Sequence, residues 1–294
     1  MLKLTLNSHA KLNLYLEVVD RRKDAYHNIR TIFERIDLCD RVTLKPLPGS
    51  KKIKITCDNP QVPLDDSNLC YQSAKLLQDT FKIKTGVEIR IIKRIPVGAG
   101  LGGGSSNAAS VLLGLNKLWE LRISKIRLAR LAAKIGSDVA FFIYNSPFAE
   151  GTQRGERIKL LKGLNSVRLW HILIIPGIKV STAAIYRKWD KQRTFKLTRP
   201  EYNVKLLSLA LKKKDLDLIG RTLFNSLEQV TLKLYPQIER IKERLAQMKV
   251  QAILMSGSGS AVFGVVSSAR EAAFLSRQIK REGRSWRVFV ARTF

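Results

Sequence analysis

The segment PVGAGLGGGSSN, from Pro96 to Asn107, constrains the fold of this chain more than any other feature of its sequence. Its five glycines remove side chains where the backbone must take a positive φ or approach another group closely. A strongly apolar helical pattern follows at once. Because the first N–H groups of a helix lack intrahelical partners and carry the positive end of its dipole, the sequence predicts a polyphosphate site here.

Other glycine-rich motifs fit this segment less well. A Walker A loop would have a lysine directly before Ser105, and this chain has none there. Gly98, Gly100 and Gly103 satisfy the GxGxxG pattern of dinucleotide sites, but Glu120 lies within a continuing helical pattern and not at the end of a following strand. A flexible surface linker is a further alternative, although linkers rarely run into an apolar helix.

The first half of the chain alternates short β-prone segments with helical patterns. Strands are predicted at 2–6, 12–18, 42–46, 53–57 and 87–92. Helices are predicted at 68–80, capped by the polar residues 65–67, at 106–121 after the glycine segment, and at 124–135. Ser124 is the expected N-cap of the last of these.

The pattern of predicted elements changes in the second half, after a polar, glycine-containing stretch at 155–165. A chain of 294 residues is long for one core, at roughly 100–200 residues per domain, so we predict domains at 1–160 and 161–294. The second would contain a strand at 169–175, helices within 204–248, strands at 252–255 and 261–266, a helix at 268–282 and a strand at 286–291. This order predicts an α+β fold.

The chain is strongly basic, with 53 Lys and Arg against 24 Asp and Glu and a formal net charge of +29. Such a charge attracts nucleic acids, anionic membranes or polyanionic small molecules. The basic residues are scattered and form no arm with interleaved aromatics, so nucleic acid is not favoured as the main partner.

Neither a membrane span nor a signal peptide is expected, because no apolar run approaches ~18 residues. Cys39, Cys57 and Cys70 form no CxxC pair, which favours reduced cysteines and a cytoplasmic location.

Four further segments accompany the glycine segment along the chain. They are AKLNLYL at 10–16, AYH at 25–27, GSDVAFF at 136–142 and MSGSGSAVF at 255–263. In this order the five segments resemble the GHMP kinase superfamily. Lys11 with Asn13, Tyr26 with His27, and residues 136–138 together resemble its branch that acts on 4-diphosphocytidyl-2-C-methyl-D-erythritol.

The resemblance implies a two-domain α+β fold, with an N-terminal domain like ribosomal protein S5 domain 2 and a ferredoxin-like C-terminal domain. It implies a monomer or homodimer that uses ATP and Mg²⁺ to phosphorylate the 2-hydroxyl of that cytidine diphosphate-linked methylerythritol, in the non-mevalonate pathway of isoprenoid biosynthesis. The sequence shows no acidic metal cluster beside the glycine segment, so the Ser105 and Ser106 hydroxyls, or the phosphates alone, would hold the ion.

A tertiary alcohol hardly ionises at neutral pH, so its phosphorylation is helped by a carboxylate that accepts the proton. The resemblance makes Asp138 the candidate base and Lys11 the cation that stabilises the developing alkoxide. On the residues alone, an ordinary helix N-cap is the favoured interpretation of Asp138, and a solvated strand lysine that of Lys11.

The resemblance also implies the residues that bind the two substrates. ATP would contact Asn68 and Lys93 near the adenine, and the loop Pro96, Val97, Gly98, Ala99, Gly100, Leu101, Gly102, Gly103, Gly104, Ser105 and Ser106. His27 would hydrogen-bond the cytosine edge between Tyr26 and Tyr186, with polar contacts from Asn13 and Thr182. On the sequence alone, a satisfied surface histidine and half-buried core tyrosines are the favoured interpretations.

The SGSGS turn, with Ser256, Gly257, Ser258 and Gly259, would support the phosphate and substrate loops, or would be a simple hairpin turn. Ala25 departs from the family, which usually has glycine before Tyr-His, and a positive φ there would cost about 1 kcal/mol. A homoserine- or mevalonate-type GHMP kinase and an S5-like RNA-binding protein are the alternative functions.

Overall fold

The computed structural model describes residues 3–191, 204–282 and 285–294. Its strands are β1 (Leu4–Arg21), β2 (His27–Leu47), β3 (Ile53–Cys57), β4 (Gly86–Ile92), β5 (Phe148–Thr152), β6 (Arg157–Leu160), β7 (Trp170–Ile175), β8 (Phe224–Asn225), β9 (Ala252–Met255), β10 (Val262–Val266) and β11 (Arg287–Arg292). Its helices are α1 (Leu69–Phe81), α2 (Gly103–Leu118), α3 (Lys125–Ile135), α4 (Val139–Ile143), α5 (Thr182–Lys191), α6 (Val204–Lys213), α7 (Leu216–Thr222), α8 (Glu228–Leu234), α9 (Pro236–Gln247) and α10 (Ala269–Arg281).

The first sheet has the order β3-β4-β2-β1-β8, with β5 pairing to β2 and β6 to β5. β1 is one strand where the sequence predicted two, and Leu2 lies outside the described residues. The prediction split it because polar residues such as Ser8 and Lys11 interrupt the apolar pattern, yet both are buried. The pairing of β1 with β2 shifts register between His9 and Ala10 and between Asn13 and Tyr15, and such bulges re-aim side chains.

β2 is also much longer than the predicted strand at 42–46. The missed part carries Glu34, Arg35 and Asp40, charged residues that normally lie outside a core, but all three are buried. Each has a hydrogen-bond partner, for example Arg35 Nη2 donating to the Phe142 carbonyl at 2.8 Å. Tertiary partners therefore let charged residues occupy a central strand.

The helices near the glycine segment agree with the predictions in position but differ at their starts. The cap of α1 is Asn68, whose Oδ1 accepts from Cys70 N at 2.8 Å, and not one of residues 65–67. α2 begins at Gly103, three residues before the predicted start at Ser106, and ends at Leu118, before the predicted 121. Ser124 caps α3 as predicted.

The second sheet is antiparallel, in the order β11-β7-β10-β9. The α+β prediction is confirmed. The two halves are joined, because β8 pairs in parallel with β1 at Tyr15 and Leu16 and one hydrophobic cluster includes Leu12, Leu173 and Phe263. The boundary at 160/161 stays a prediction and falls directly after β6. Among the described helices, none is both long and apolar enough to cross a membrane.

Candidate active site

The glycine loop from Pro96 to Gly102 takes a conformation that side chains would prevent. Gly98, Gly100 and Gly102 have φ of 71°, 76° and 68°. A Cβ on Gly100 would lie 2.2 Å from the Ser256 carbonyl oxygen, and one on Gly102 would lie 2.9 Å from Lys11 Cγ. The loop is also hydrogen-bonded to β1, since Lys11 N donates to the Leu101 carbonyl at 3.0 Å. These contacts exclude a flexible linker.

The start of α2 faces the loop without a capping side chain, because Gly102 occupies the N-cap position. The N–H groups of the first turn therefore lack intrahelical partners and are available to an anion. A cavity of about 310 Å³ lies against this turn, lined by the predicted ATP residues from Pro96 to Ser105 together with Asn68 and Lys93. We call it the donor cavity.

A buried network that the sequence did not predict supports the donor cavity. Asp40 is fully buried, pairs with Lys93 Nζ and accepts from Arg94 N and Ile95 N at 2.7 and 2.8 Å. Asn107 Nδ2 donates to both Asp40 and Ser8 at 2.9 Å. No sequence pattern marks Asp40, because its partners come from the segment that follows β4 and from α2.

A second cavity, of about 860 Å³, shares Gly100, Gly102 and Ser105 with the donor cavity. We call it the acceptor cavity. Lys11 and Asp138 line it beside this shared part of the loop. Two ligands, one in each cavity, would therefore meet at the glycine loop.

Lys11 and Asp138 lie together as predicted, with Lys11 Nζ 3.2 Å from Asp138 Oδ2. The lysine side chain is 5% exposed and the aspartate 30%, so Asp138 is the more accessible to a substrate. Asp138 does occupy the N-cap position of α4, but its side chain makes no capping hydrogen bond. Neither the helix-cap nor the solvated-lysine interpretation fits this geometry.

A short chain of hydrogen bonds orients the lysine. Lys11 Nζ donates to Asn13 Oδ1, Asn13 Nδ2 donates to Thr31 Oγ1 at 2.8 Å, and Thr31 Oγ1 donates to the Tyr15 carbonyl at 2.6 Å. The ammonium also lies 5.4 Å from the centre of the Phe33 ring, within the range of a cation–π contact. Thr31 was missed by sequence reasoning, since an isolated threonine in a strand carries no signal.

The far end of the acceptor cavity is aromatic. His27 is 6% exposed at its side chain and hydrogen-bonds Asp190 Oδ1 through Nε2 at 2.8 Å. Its ring stacks on Tyr186, with ring centres 4.7 Å apart, while Tyr26 is 55% exposed. Burial, with a smaller contribution from the charge of Asp138, raises the pKa of Tyr186, so its phenol stays protonated at neutral pH. Asp190 is a further residue that the sequence did not predict.

Ala25, where the family usually has glycine, takes a φ of 65°. This is the left-handed conformation that is strained for alanine. The turn is closed by Arg22 N donating to the Tyr26 carbonyl at 2.8 Å. Tyr26 is thus held at the edge of the cavity despite the strain at Ala25.

The SGSGS turn joins β9 to β10 and also packs on the glycine loop. Ser256 Oγ donates to the Gly100 carbonyl at 3.0 Å, and Thr182 Oγ1 lies 2.8 Å from Ser258 Oγ. Asn225, which the sequence did not single out, donates to the Met255 and Gly257 carbonyls at 2.8 Å each. The turn is therefore both a connection between strands and a support for the loop.

Comparison with known proteins finds matching families and similar curated sequences. The GHMP kinases N terminal domain family matches residues 68–146 and the GHMP kinases C terminal family matches residues 207–285. A curated 4-diphosphocytidyl-2-C-methyl-D-erythritol kinase from Geobacillus kaustophilus is 45% identical over 265 residues, covering 90% of this chain and 89% of that protein.

The chain belongs to the 4-diphosphocytidyl-2-C-methyl-D-erythritol kinase family. Its fold agrees with this membership. A crystal structure of 4-(cytidine 5'-diphospho)-2C-methyl-D-erythritol kinase is 31% identical, with a TM-score of 0.78 over 98% of this chain and 99% of that one. Homoserine kinase from Cytophaga hutchinsonii has a TM-score of 0.79 at 20% identity, over 99% of this chain and 94% of that one, which shows a shared fold alone. The predicted GHMP fold and family are confirmed.

Proposed function

We propose that this chain transfers the γ-phosphoryl group of ATP to the 2-hydroxyl of 4-diphosphocytidyl-2-C-methyl-D-erythritol, giving the 2-phosphate and ADP. The observation that carries the proposal is the Lys11–Asp138 pair, 3.2 Å apart, beside the loop that the donor and acceptor cavities share. Phosphoryl transfer requires the acceptor oxygen and the terminal phosphate to be in line within one cleft. The family membership supplies the identity of the substrate.

Asp138, Lys11 and the start of α2 have separate roles in the proposed reaction. Asp138 accepts the proton of the hydroxyl as the oxygen attacks, and the Lys11 ammonium stabilises the negative charge that develops on that oxygen. Asn13 and Thr31 hold the ammonium in place. The free N–H groups at the start of α2 bind the phosphate oxygens of ATP.

The residues that would hold Mg²⁺ are few. Among the described residues, no group of three or more His, Cys, Asp and Glu side chains could hold a metal ion. Ser106 is buried and its Oγ accepts from Ser8, whereas Ser105 lines both cavities. The Ser105 hydroxyl with ATP oxygens fits an ion that is usually bound by few protein groups and by phosphates. When bound, the ion neutralises phosphate charge.

The other predicted roles belong to the same proposal. Cytosine would lie against Tyr26, His27 and Tyr186, with Asn13 and Thr182 as polar contacts, and Asn68 and Lys93 would lie near the adenine. A cytoplasmic location and a monomeric or homodimeric state stay predictions.

The test is to incubate the purified protein with Mg-ATP and the cytidyl substrate and to detect the 2-phosphate by mass spectrometry. CDP, but not homoserine or mevalonate, should compete. Asp138→Asn should remove almost all turnover, while Asp79→Asn, which changes a surface carboxylate paired with Lys75, should leave it intact. No turnover by the wild type would refute the function, and full turnover by Asp138→Asn would refute the mechanism.

A further inference from the structure

The two ends of the acceptor cavity are lined by groups of different chemistry. Lys11 and Asp138 form the reactive end, and Tyr26, His27 and Tyr186 form the aromatic end. An acceptor with a cytosine at one end and a methylerythritol at the other must place its diphosphate between them. Asp24, Asp138 and Asp190 also line the cavity, so a diphosphate there needs a cation that has free N–H donors.

The hairpin between β5 and β6 brings one arginine to this intermediate position. The Arg154 guanidinium lies 5.2 Å from the centre of the Tyr26 ring, at the aromatic end. The next residue, Gly155, borders the reactive end, because a Cβ placed on it would lie 4.0 Å from Asp138 Oδ1. Gln153 and Gly155 have φ of 62° and 109°, so a tight turn presents Arg154. Arg154 itself lines the cavity.

Arg154 keeps most of its hydrogen-bonding capacity. In the described part of the chain its guanidinium makes two hydrogen bonds, each 3.4 Å long. Nε donates to Glu156 Oε1, a contact that is also an ion pair, and Nη2 donates to the Ala133 carbonyl. Both are near the upper limit for such bonds, and the side chain is 28% exposed. A guanidinium has five N–H donors in a planar fork that matches two phosphate oxygens.

The other cations of the cavity are less suited. Lys11 is already bound to Asp138 and Asn13. Arg21 Nε lies 3.6 Å from Asp190 Oδ2, and Asp190 also binds His27, so Arg21 belongs to the aromatic end. Arg187 follows Tyr186 on α5 and so belongs to the aromatic end.

We propose that Arg154 binds the diphosphate of the acceptor substrate. The inference rests on the proposed function, because that function supplies a diphosphate between the two ends. Tyr26 stacks against the same guanidinium, so the base-binding and phosphate-binding groups are positioned together. The contact is made equally in the ground state and the transition state, so it contributes to substrate affinity more than to the chemical step.

The test compares a ligand with the diphosphate, CDP, and one without it, cytidine, as inhibitors of wild type, Arg154→Gln, Arg154→Lys and Arg157→Gln. Arg157 is an exposed arginine of the same hairpin outside both cavities, and serves as the matched control. Arg154→Gln should weaken CDP about 10- to 100-fold, as expected for charge-assisted hydrogen bonds, and cytidine less than about threefold. KM for the acceptor should rise by a similar factor, while KM for ATP and kcat change little. Arg154→Lys should restore part of the loss, and Arg157→Gln should behave as wild type.

Equal weakening of CDP and cytidine would show that Arg154 merely supports Tyr26, and would overturn the proposal. So would an unchanged CDP affinity in Arg154→Gln. Failure of the proposed function is recognised separately, because the wild type would then neither turn over the substrate nor bind CDP. Circular dichroism of each variant establishes folding. If Arg154→Gln is unstable, the ratio of CDP to cytidine affinity in the conservative variant Arg154→Lys provides the test.

Discussion

Replacing Gly102 by alanine should damage the site through Lys11. The φ of 68° at Gly102 makes any side chain there costly, by about 1 kcal/mol. The new Cβ would also lie 2.9 Å from Lys11 Cγ, so one of the two must move by roughly half an ångström or more to reach an ordinary carbon contact. Lys11 is 4% exposed and held by Asp138 and Asn13, so the displacement is transmitted to its ammonium.

A control variant separates the effect of backbone strain at the glycine from the effect of displacing Lys11. Gly49→Ala is the control, since Gly49 has a φ of 75° with no atom within 4 Å of its Cβ position, and it lines neither cavity. Both variants should lose about 1 kcal/mol in urea unfolding, and Gly102→Ala should lose ~0.5–1.5 kcal/mol more from a strained lysine rotamer. Because an error of about 1 Å in position can cost 100-fold in rate, kcat should fall about 10- to 100-fold in Gly102→Ala alone. A wild-type kcat in Gly102→Ala would refute this reasoning.

Three further predictions follow from single residues. Ala25→Gly should raise the free energy of unfolding by ~0.5–1 kcal/mol, because it relieves the strain at φ 65°, and an unchanged or lower urea midpoint would contradict this. Asp138→Asn should lower kcat by about 100- to 10,000-fold in a coupled ADP-release assay, with the circular dichroism spectrum unchanged, as expected for loss of a general base. Burial, helped by the charge of Arg35, lowers the pKa of His9 to about 4. The unfolded state therefore binds the proton first, so this contribution to stability is fully present above pH 6.5 and is lost as the pH falls from 6.5 towards 4. Because His9 is partly exposed, the loss should be of the order of 1 kcal/mol, and His9→Asn should flatten the pH dependence of the urea midpoint over that range.

The sequence by itself determined the parts of this protein that depend on local rules. A run of glycines before an apolar helix predicted a phosphate cradle, because positive φ and a free helix start are properties of neighbouring residues. The helix capped by Ser124 and the order of strands and helices in the second half follow from the same local patterns. The order of the motifs along the chain was sufficient to indicate the family, without any contact being known.

Tertiary structure decided what depends on residues that are distant in the chain. It joined two predicted strands into β1, since Ser8 and Lys11 are buried against partners in α2 and at the N-cap of α4. It also buried Asp40 beside Lys93, and placed Asn225 under the SGSGS turn. Polar residues in a strand look exposed in a sequence, because the groups that satisfy them lie elsewhere in the chain. For the same reason, the sequence could nominate Lys11 and Asp138, but only the tertiary structure brings Lys11 on β1 together with Asp138 at the N-cap of α4.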